Sequence, residues 1–166
     1  MNAFAAQGEA AEMKRRIACA WAALALVEDP EIPAVSIIDL GLIRSVSSGP
    51  DGALEVRLTP TYVGCPATEV IRHSVTAALN SADVGRFAVT SVLSPAWSSD
   101  WITPEGRRKL LMYGIVPPED SSARPVGCPR CQSTDTECVS EFGSTPCKAL
   151  HRCRACLEPF EYFKCI

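Results

Sequence analysis

The sequence lacks an excess of charge of either sign and any long hydrophobic run. Its 166 residues carry a formal net charge of −3, which offers no long-range attraction to nucleic acid or anionic lipid. The longest apolar run, Ile17–Val27, covers 11 residues, whereas a bilayer span needs roughly 20. Repeats and low-complexity tracts are also missing. We therefore expect no nucleic-acid partner and no membrane insertion.

Signatures of catalysis are missing as well. No nucleophilic triad, glycine-rich phosphate loop or acid/base pair of carboxylates can be assembled from these residues. With 47% hydrophobic and 21% charged residues, the composition is that of a globular protein and excludes disordered and collagen-like classes. We do not expect a stand-alone enzyme, and the length allows one core plus a small appendage.

Cysteine, in contrast, is abundant and clustered. Nine cysteines are present, and seven of them follow position 127. Cys128 and Cys131 form one C-x-x-C pair and Cys153 and Cys156 a second, separated by 21 residues, slightly more than the usual gap of roughly 15–20. Two such pairs supply the four thiolates of a tetrahedral structural zinc site. The spacing predicts a zinc ribbon.

The other residues of this region leave several possibilities open. Cys138, Cys147 and Cys165 could form a second site, an oxidised pair or simple packing contacts. His151 stands two residues before Cys153 and is a possible replacement ligand, although the two pairs already supply four.

The distribution of cysteines also indicates the compartment. Clustering of this kind is typical of metal sites in a reducing environment and differs from the evenly spaced disulfides of secreted proteins. The basic Met13–Arg16 and the apolar run after it resemble a signal peptide, but Glu28 and Asp29 follow where small cleavage-site residues are expected. We expect an internal helix and a cytoplasmic protein.

Hydrophobic periodicity predicts helices and strands before the cysteine-rich region. Apolar residues three and four apart predict an amphipathic helix over residues 9–27. A turn at Gly49–Gly52 precedes the alternating segment Leu54–Thr59, which predicts a β-hairpin. The pattern then predicts a helix with proline at its first position, opening at Cys65-Pro66, a strand over Phe87–Leu93 and a helix from Thr103 to Tyr113.

These elements predict an α+β fold, with a small three-stranded mixed sheet and flanking helices, followed by a small zinc-ribbon β domain. We expect residues 1–116 to form the α+β domain, residues 117–125 a proline-containing linker, and residues 126–166 the ribbon. The edge strand of so small a sheet makes a homo-oligomer possible.

Two residues of the first domain could carry chemistry. Cys65 follows a loop at the start of a helix, where the positive end of the helix dipole favours a thiolate that could bind metal or react. The alternative is a small buried hydrophobic side chain. Asp39 lies in an apolar run, so it is either a cap or a polar residue of a site.

Three motifs between residues 22 and 93 resemble a known family. Asp29–Pro33, Asp39–Ile43 and Thr59–Pro66 are similar to segments of the small α+β domain of iron–sulfur cluster assembly factors. The resemblance implies that Cys65 and Asp39 are functional residues, with Thr61 beside them, and that iron or an iron–sulfur cluster is held transiently.

The rest of the chain resembles a narrower family. Ser94–Ile102 and the segment from Cys128 to Lys148 are similar to PaaD-type subunits associated with bacterial phenylacetyl-CoA epoxidase. The resemblance implies an accessory role in phenylacetate catabolism, with oxygenase and reductase subunits as partners. The chain lacks the helical Glu-x-x-His pairs of a di-iron bundle, as expected if the epoxidising site belongs to another subunit.

Two other functions remain open. The chain could be a structural subunit that joins oxygenase components without handling metal. Electron transfer through iron in the C-terminal cysteines would call for a glycine in the tight turn, or knuckle, that each C-x-x-C pair forms. Cys131-Gln132 and Cys156-Leu157 lack this glycine.

Overall fold

A computed structural model describes residues 3–49, 51–118 and 126–165. The helices are α1 (Ala3–Leu24), α2 (Ala67–Ser81) and α3 (Pro104–Met112), with a 3-10 turn at Ser99–Trp101. The strands are β1 (Ile43–Ser48), β2 (Leu54–Leu58), β3 (Phe87–Ser91), β4 (Ile115–Val116), β5 (Thr136–Ser140), β6 (Lys148–Cys153) and β7 (Pro159–Phe163). Across these ranges, every helix is too short or too polar to cross a membrane.

The first sheet has the strand order β1-β2-β3. The predicted hairpin is present, since β1 and β2 pair antiparallel, and β3 pairs parallel to β2 after the crossover through α2. Leu54, Val56 and Leu58 alternate along β2 with exposures of 0 to 1%, so one face of the sheet is buried against the helices. The predicted α+β fold with a three-stranded mixed sheet is confirmed.

The ends of the helices differ in part from the sequence-based bounds. The prediction of a helix over residues 9–27 was wrong at both ends, because α1 begins at Ala3 and ends at Leu24. Val27 leaves the helix because its carbonyl accepts a hydrogen bond from the amide of Ile37. Pro66 is the N-cap of α2 and not its first helical residue. Thr103 caps α3 as predicted.

The second sheet has the order β4-β7-β6-β5 and contains the cysteine-rich region. Its edge strand β4 directly follows α3 and pairs parallel with β7. Phe163, at the end of β7, is 1% exposed and its ring lies 6.0 Å from that of Trp97. The second sheet therefore contributes to the main hydrophobic core. Most of the predicted linker, residues 119–125, and Pro50 of the predicted turn lie outside the described residues.

Candidate metal centre and thiol pocket

The four cysteines of the two C-x-x-C pairs converge on one point. Their Sγ atoms all lie within 4.8 Å of one another, and the Cys128–Cys156 and Cys131–Cys153 separations are both 3.6 Å. Four sulfurs at about 2.3 Å from a tetrahedral zinc would lie about 3.8 Å apart. The cluster thus has the size and the donor chemistry of a four-thiolate metal site.

Backbone hydrogen bonds shape each knuckle. In the first, the Gln132 amide donates to the carbonyl of Cys128 at 2.8 Å. In the second, the Cys156 amide donates to the Sγ atom of Cys153 at 3.4 Å. This hydrogen bond favours the thiolate and lowers the pKa of Cys153 to about 7. Such amide donors stabilise the anionic sulfur that a metal requires.

The residue after each knuckle adopts a left-handed conformation. Gln132 has φ of +61° and Leu157 has φ of +64°. Glycine normally occupies such positions, because other residues pay a steric penalty there. Both knuckles therefore adopt the left-handed conformation even though Gln132 and Leu157 stand where glycine is usual.

His151 lies outside the cysteine cluster. Its ring lies 5.7 Å from that of Phe160 and 5.4 Å from that of Tyr162. Burial lowers its pKa, and its Nδ1 atom is buried without a hydrogen-bond partner among the described residues. Cys138 is exposed on β5, and the Sγ atom of Cys165 lies 3.2 Å from the Tyr162 hydroxyl. The structure places none of these three side chains in the four-sulfur group.

A separate cavity of about 160 Å³ lies between segments of residues 29–67 and the second sheet with its β5–β6 loop. Thr61, Tyr62 and Cys65 line one wall. The loop between β5 and β6 lines the other wall, and its Cys147 faces the same space. Phe163 closes the cavity from the core side. The structure therefore brings Cys65 and Thr61 together and adds Cys147, which the sequence left without a role.

The polar groups of this cavity are influenced by burial and by one another. Burial, together with the neighbouring Cys65 thiol, raises the pKa of Tyr62 to about 12. Burial also raises the pKa of the Cys147 thiol, whose Sγ atom lies 3.1 Å from the Thr145 hydroxyl. Asp29 has a pKa raised by burial, although its Oδ1 atom accepts two backbone hydrogen bonds at 2.9 Å. Tyr62 and Cys147 line the cavity although the sequence assigned a role to neither, because no local pattern relates Cys147 to Cys65.

Asp39 acts as a local cap and does not line this cavity. Its Oδ2 atom accepts hydrogen bonds from the amide and hydroxyl of Ser36, both at 2.9 Å, and from Lys109 Nζ at 2.7 Å. Burial raises the pKa of Asp39, but these hydrogen bonds outweigh it and hold the pKa below its usual value. Asp39 thereby joins the loop before β1 to α3, while the adjacent Leu40 reaches the cavity.

The fold and the two cysteine sites define a two-part protein, in which an α+β domain of the iron–sulfur assembly type is joined to a four-cysteine ribbon. Residues 18–93 match the iron–sulfur cluster assembly protein family, and residues 116–164 match the PaaD zinc beta ribbon domain. A putative 1,2-phenylacetyl-CoA epoxidase subunit from Escherichia coli (strain K12) is 47% identical over 151 residues, covering 88% of this chain and 91% of that protein. The chain belongs to this family of epoxidase subunits, the PaaD family.

Other similar proteins cover the first domain. An Fe-S protein maturation auxiliary factor from Porphyromonas gingivalis is 36% identical over 88 residues, which is 52% of this chain and 83% of that protein. A crystal structure of a DUF59 domain of unknown function from Bacillus anthracis aligns with a TM-score of 0.53 and 28% identity, over 58% of this chain and 92% of that one. The solved structure supports the fold, and the relatives named as an epoxidase subunit and as a maturation factor support an accessory role.

Proposed function

We propose that this chain is a non-catalytic maturation factor of the bacterial phenylacetyl-CoA ring-epoxidising oxygenase. In this role it assists the assembly of an iron–sulfur or iron centre in the oxygenase or its reductase during aerobic phenylacetate degradation. The supporting observation is that Cys65 lines a cavity separate from the four-cysteine cluster. The chain thus offers a thiol for cargo besides the thiols that hold its own metal.

Each predicted residue has a place in this proposal. Cys65 holds or transfers iron or a cluster, and Thr61 shapes the wall beside it. Asp39 acts indirectly, by fixing the loop whose Leu40 borders the cavity. Free thiols of this kind require a reducing compartment, which is the reason to place the protein in the cytoplasm.

The metal we propose for Cys128, Cys131, Cys153 and Cys156 is zinc, because four thiolates form a closed tetrahedral shell. Bound there, zinc would supply a structural cross-link and leave no open position for a substrate. In this proposal residues 126–166 are a domain that binds partner subunits, and residues 1–116 are the domain that binds the transferred iron or cluster. Residues 117–125 are the linker between them.

Gene deletion tests the proposal in cells. Without this chain, the cluster content of the reductase or the iron content of the oxygenase should fall. A copy carrying Cys65→Ser should fail to restore it, whereas Cys138→Ser, which alters an exposed cysteine of the ribbon, should restore it. Normal metal content in both partners of the deletion strain would refute the proposal.

A structural subunit that joins oxygenase components is the second candidate. Val139, Phe142 and Leu157 of the ribbon are 56 to 68% exposed, a pattern that favours docking against another protein. Full pathway activity with Cys65→Ser, combined with loss of complex formation on changing Phe142 to Ser, would support this candidate over the first.

A further inference from the structure

The cavity beside Cys65 is also lined by a second thiol, which belongs to the loop between β5 and β6. Cys65 lies at the start of α2, where the Thr68 amide donates to the Cys65 carbonyl at 3.1 Å. Cys147 lies in the loop before β6, 82 positions later in the sequence. Both side chains are partly exposed, and both pack against the edge of the main core.

The loop that carries Cys147 is held firmly against β7. The Lys164 amide donates to the Cys147 carbonyl at 2.9 Å, and the Ser144 amide donates to Glu161 at 2.7 Å. Lys148, whose side chain is 4% exposed, forms an ion pair with Glu161 at 2.8 Å. Because β7 also supplies Phe163 to the core, Cys147 has a fixed position relative to the cavity.

Two of the side chains that line this cavity, Cys65 and Cys147, carry soft thiol donors, whereas Asp29, Glu31 and Tyr62 offer harder oxygen donors. The paired thiols suit thiophilic transition metals better than hard cations. The metal proposed for the ribbon would not use these two thiols, because its four ligands would be Cys128, Cys131, Cys153 and Cys156.

We propose that Cys65 and Cys147 together form a two-thiol site for ferrous iron or an iron–sulfur cluster, with one ligand from each part of the molecule. This inference rests on the proposed function and adds the second ligand to it. On binding, each thiol releases its proton to solvent and no electron is transferred. Two protein thiolates leave positions of a four-coordinate metal open, so the thiols of a client protein can take the metal from the site.

Protection of thiols by cobalt(II) tests the site in the unaltered chain. Zinc-loaded protein is treated with an alkylating reagent, with and without cobalt(II), and the modification rate of each cysteine is followed by peptide mass spectrometry. With cobalt at about ten times its dissociation constant, alkylation of Cys65 and Cys147 should both slow by about tenfold. The exposed Cys138 serves as the internal control and should react at an unchanged rate.

The outcomes distinguish failure of the two-thiol site from failure of the proposed function. Protection of Cys65 alone would overturn the two-thiol site and leave the proposed function standing. Protection of neither thiol would overturn both. In a second arm, Cys147→Ser should reduce bound ferrous iron about as strongly as Cys65→Ser does, with zinc retention as the folding control. Unchanged iron in folded Cys147→Ser would also contradict the two-thiol site.

Discussion

At the scale of single residues, Leu157 adopts a left-handed backbone conformation that a residue with a side chain disfavours. Its φ of +64° is left-handed and its side chain is 68% exposed, so the side chain contributes little packing in return. Gln132 occupies the matching place after the first knuckle. The four-sulfur cluster beside them imposes these conformations, since both knuckles must turn their sulfurs inward.

Leu157→Gly should therefore stabilise the protein. A left-handed residue other than glycine costs roughly 1–2 kcal/mol, and the extra freedom of glycine in the unfolded chain offsets about 0.5–1 kcal/mol of the gain. We expect a net increase of about 0.5–1 kcal/mol in the free energy of unfolding of zinc-loaded protein. Val139→Gly, at an exposed strand position, is the matched control and should destabilise. Equal destabilisation by both changes would contradict this account.

Asp39→Asn should lower stability in a pH-dependent way. Asp39 is buried and its pKa is lowered in the folded state by Lys109 and Ser36, so its contribution is present above the unfolded pKa and is lost as pH falls through the folded value. We expect the substitution to lower the free energy of unfolding by about 1–3 kcal/mol at pH 7. Below about pH 4 the free energies of unfolding of the variant and the unaltered chain should become more alike. Denaturant unfolding at several pH values measures this. The exposed Asp100→Asn is the control, and a difference independent of pH would refute the cap role.

At the scale of elements, the loop before β6 depends on a buried ion pair. Lys148→Met leaves Glu161 without its cation, and removing one partner of a buried pair typically costs about 3–5 kcal/mol. Because Glu161 remains 25% exposed, the lower end of that range is expected. Alkylation of Cys147 should become faster as the loop loosens. The double variant Lys148→Met with Glu161→Leu should be more stable than Lys148→Met alone. If its loss of stability equals the sum of the losses in Lys148→Met and Glu161→Leu, the two residues are not a coupled pair.

Local elements of this fold follow from the sequence more readily than the cavity does. The hairpin is encoded by alternation on β2, and the start of α3 by Thr103 followed by proline, both of which act over a few residues. The four ribbon ligands follow from two short spacings. The position of Cys147 depends on the pairing of β4 with β7 and on the burial of Phe163, which join segments distant in sequence. No local pattern predicts such contacts.

At the scale of the whole molecule, the two sheets are joined through one core. Phe163 lies within the main cluster of buried residues, so Phe163→Ala should destabilise the first domain as well as the ribbon, by about 3–5 kcal/mol. The far-ultraviolet and the near-ultraviolet circular dichroism signals, the latter including the three tryptophans, should then shift together in thermal unfolding. The exposed Phe142→Ala is the control, and a loss confined to the ribbon would contradict a shared core.

In the proposed function the ribbon holds a structural metal, and Cys65 holds transient cargo. Metal analysis and absorption spectroscopy of anaerobically purified protein test this division most directly, with Cys65→Ser and Cys128→Ser beside the unaltered chain. Cys65→Ser should lose iron and retain zinc, and Cys128→Ser should lose zinc. Iron retained in full by Cys65→Ser, or zinc retained in full by Cys128→Ser, would contradict it.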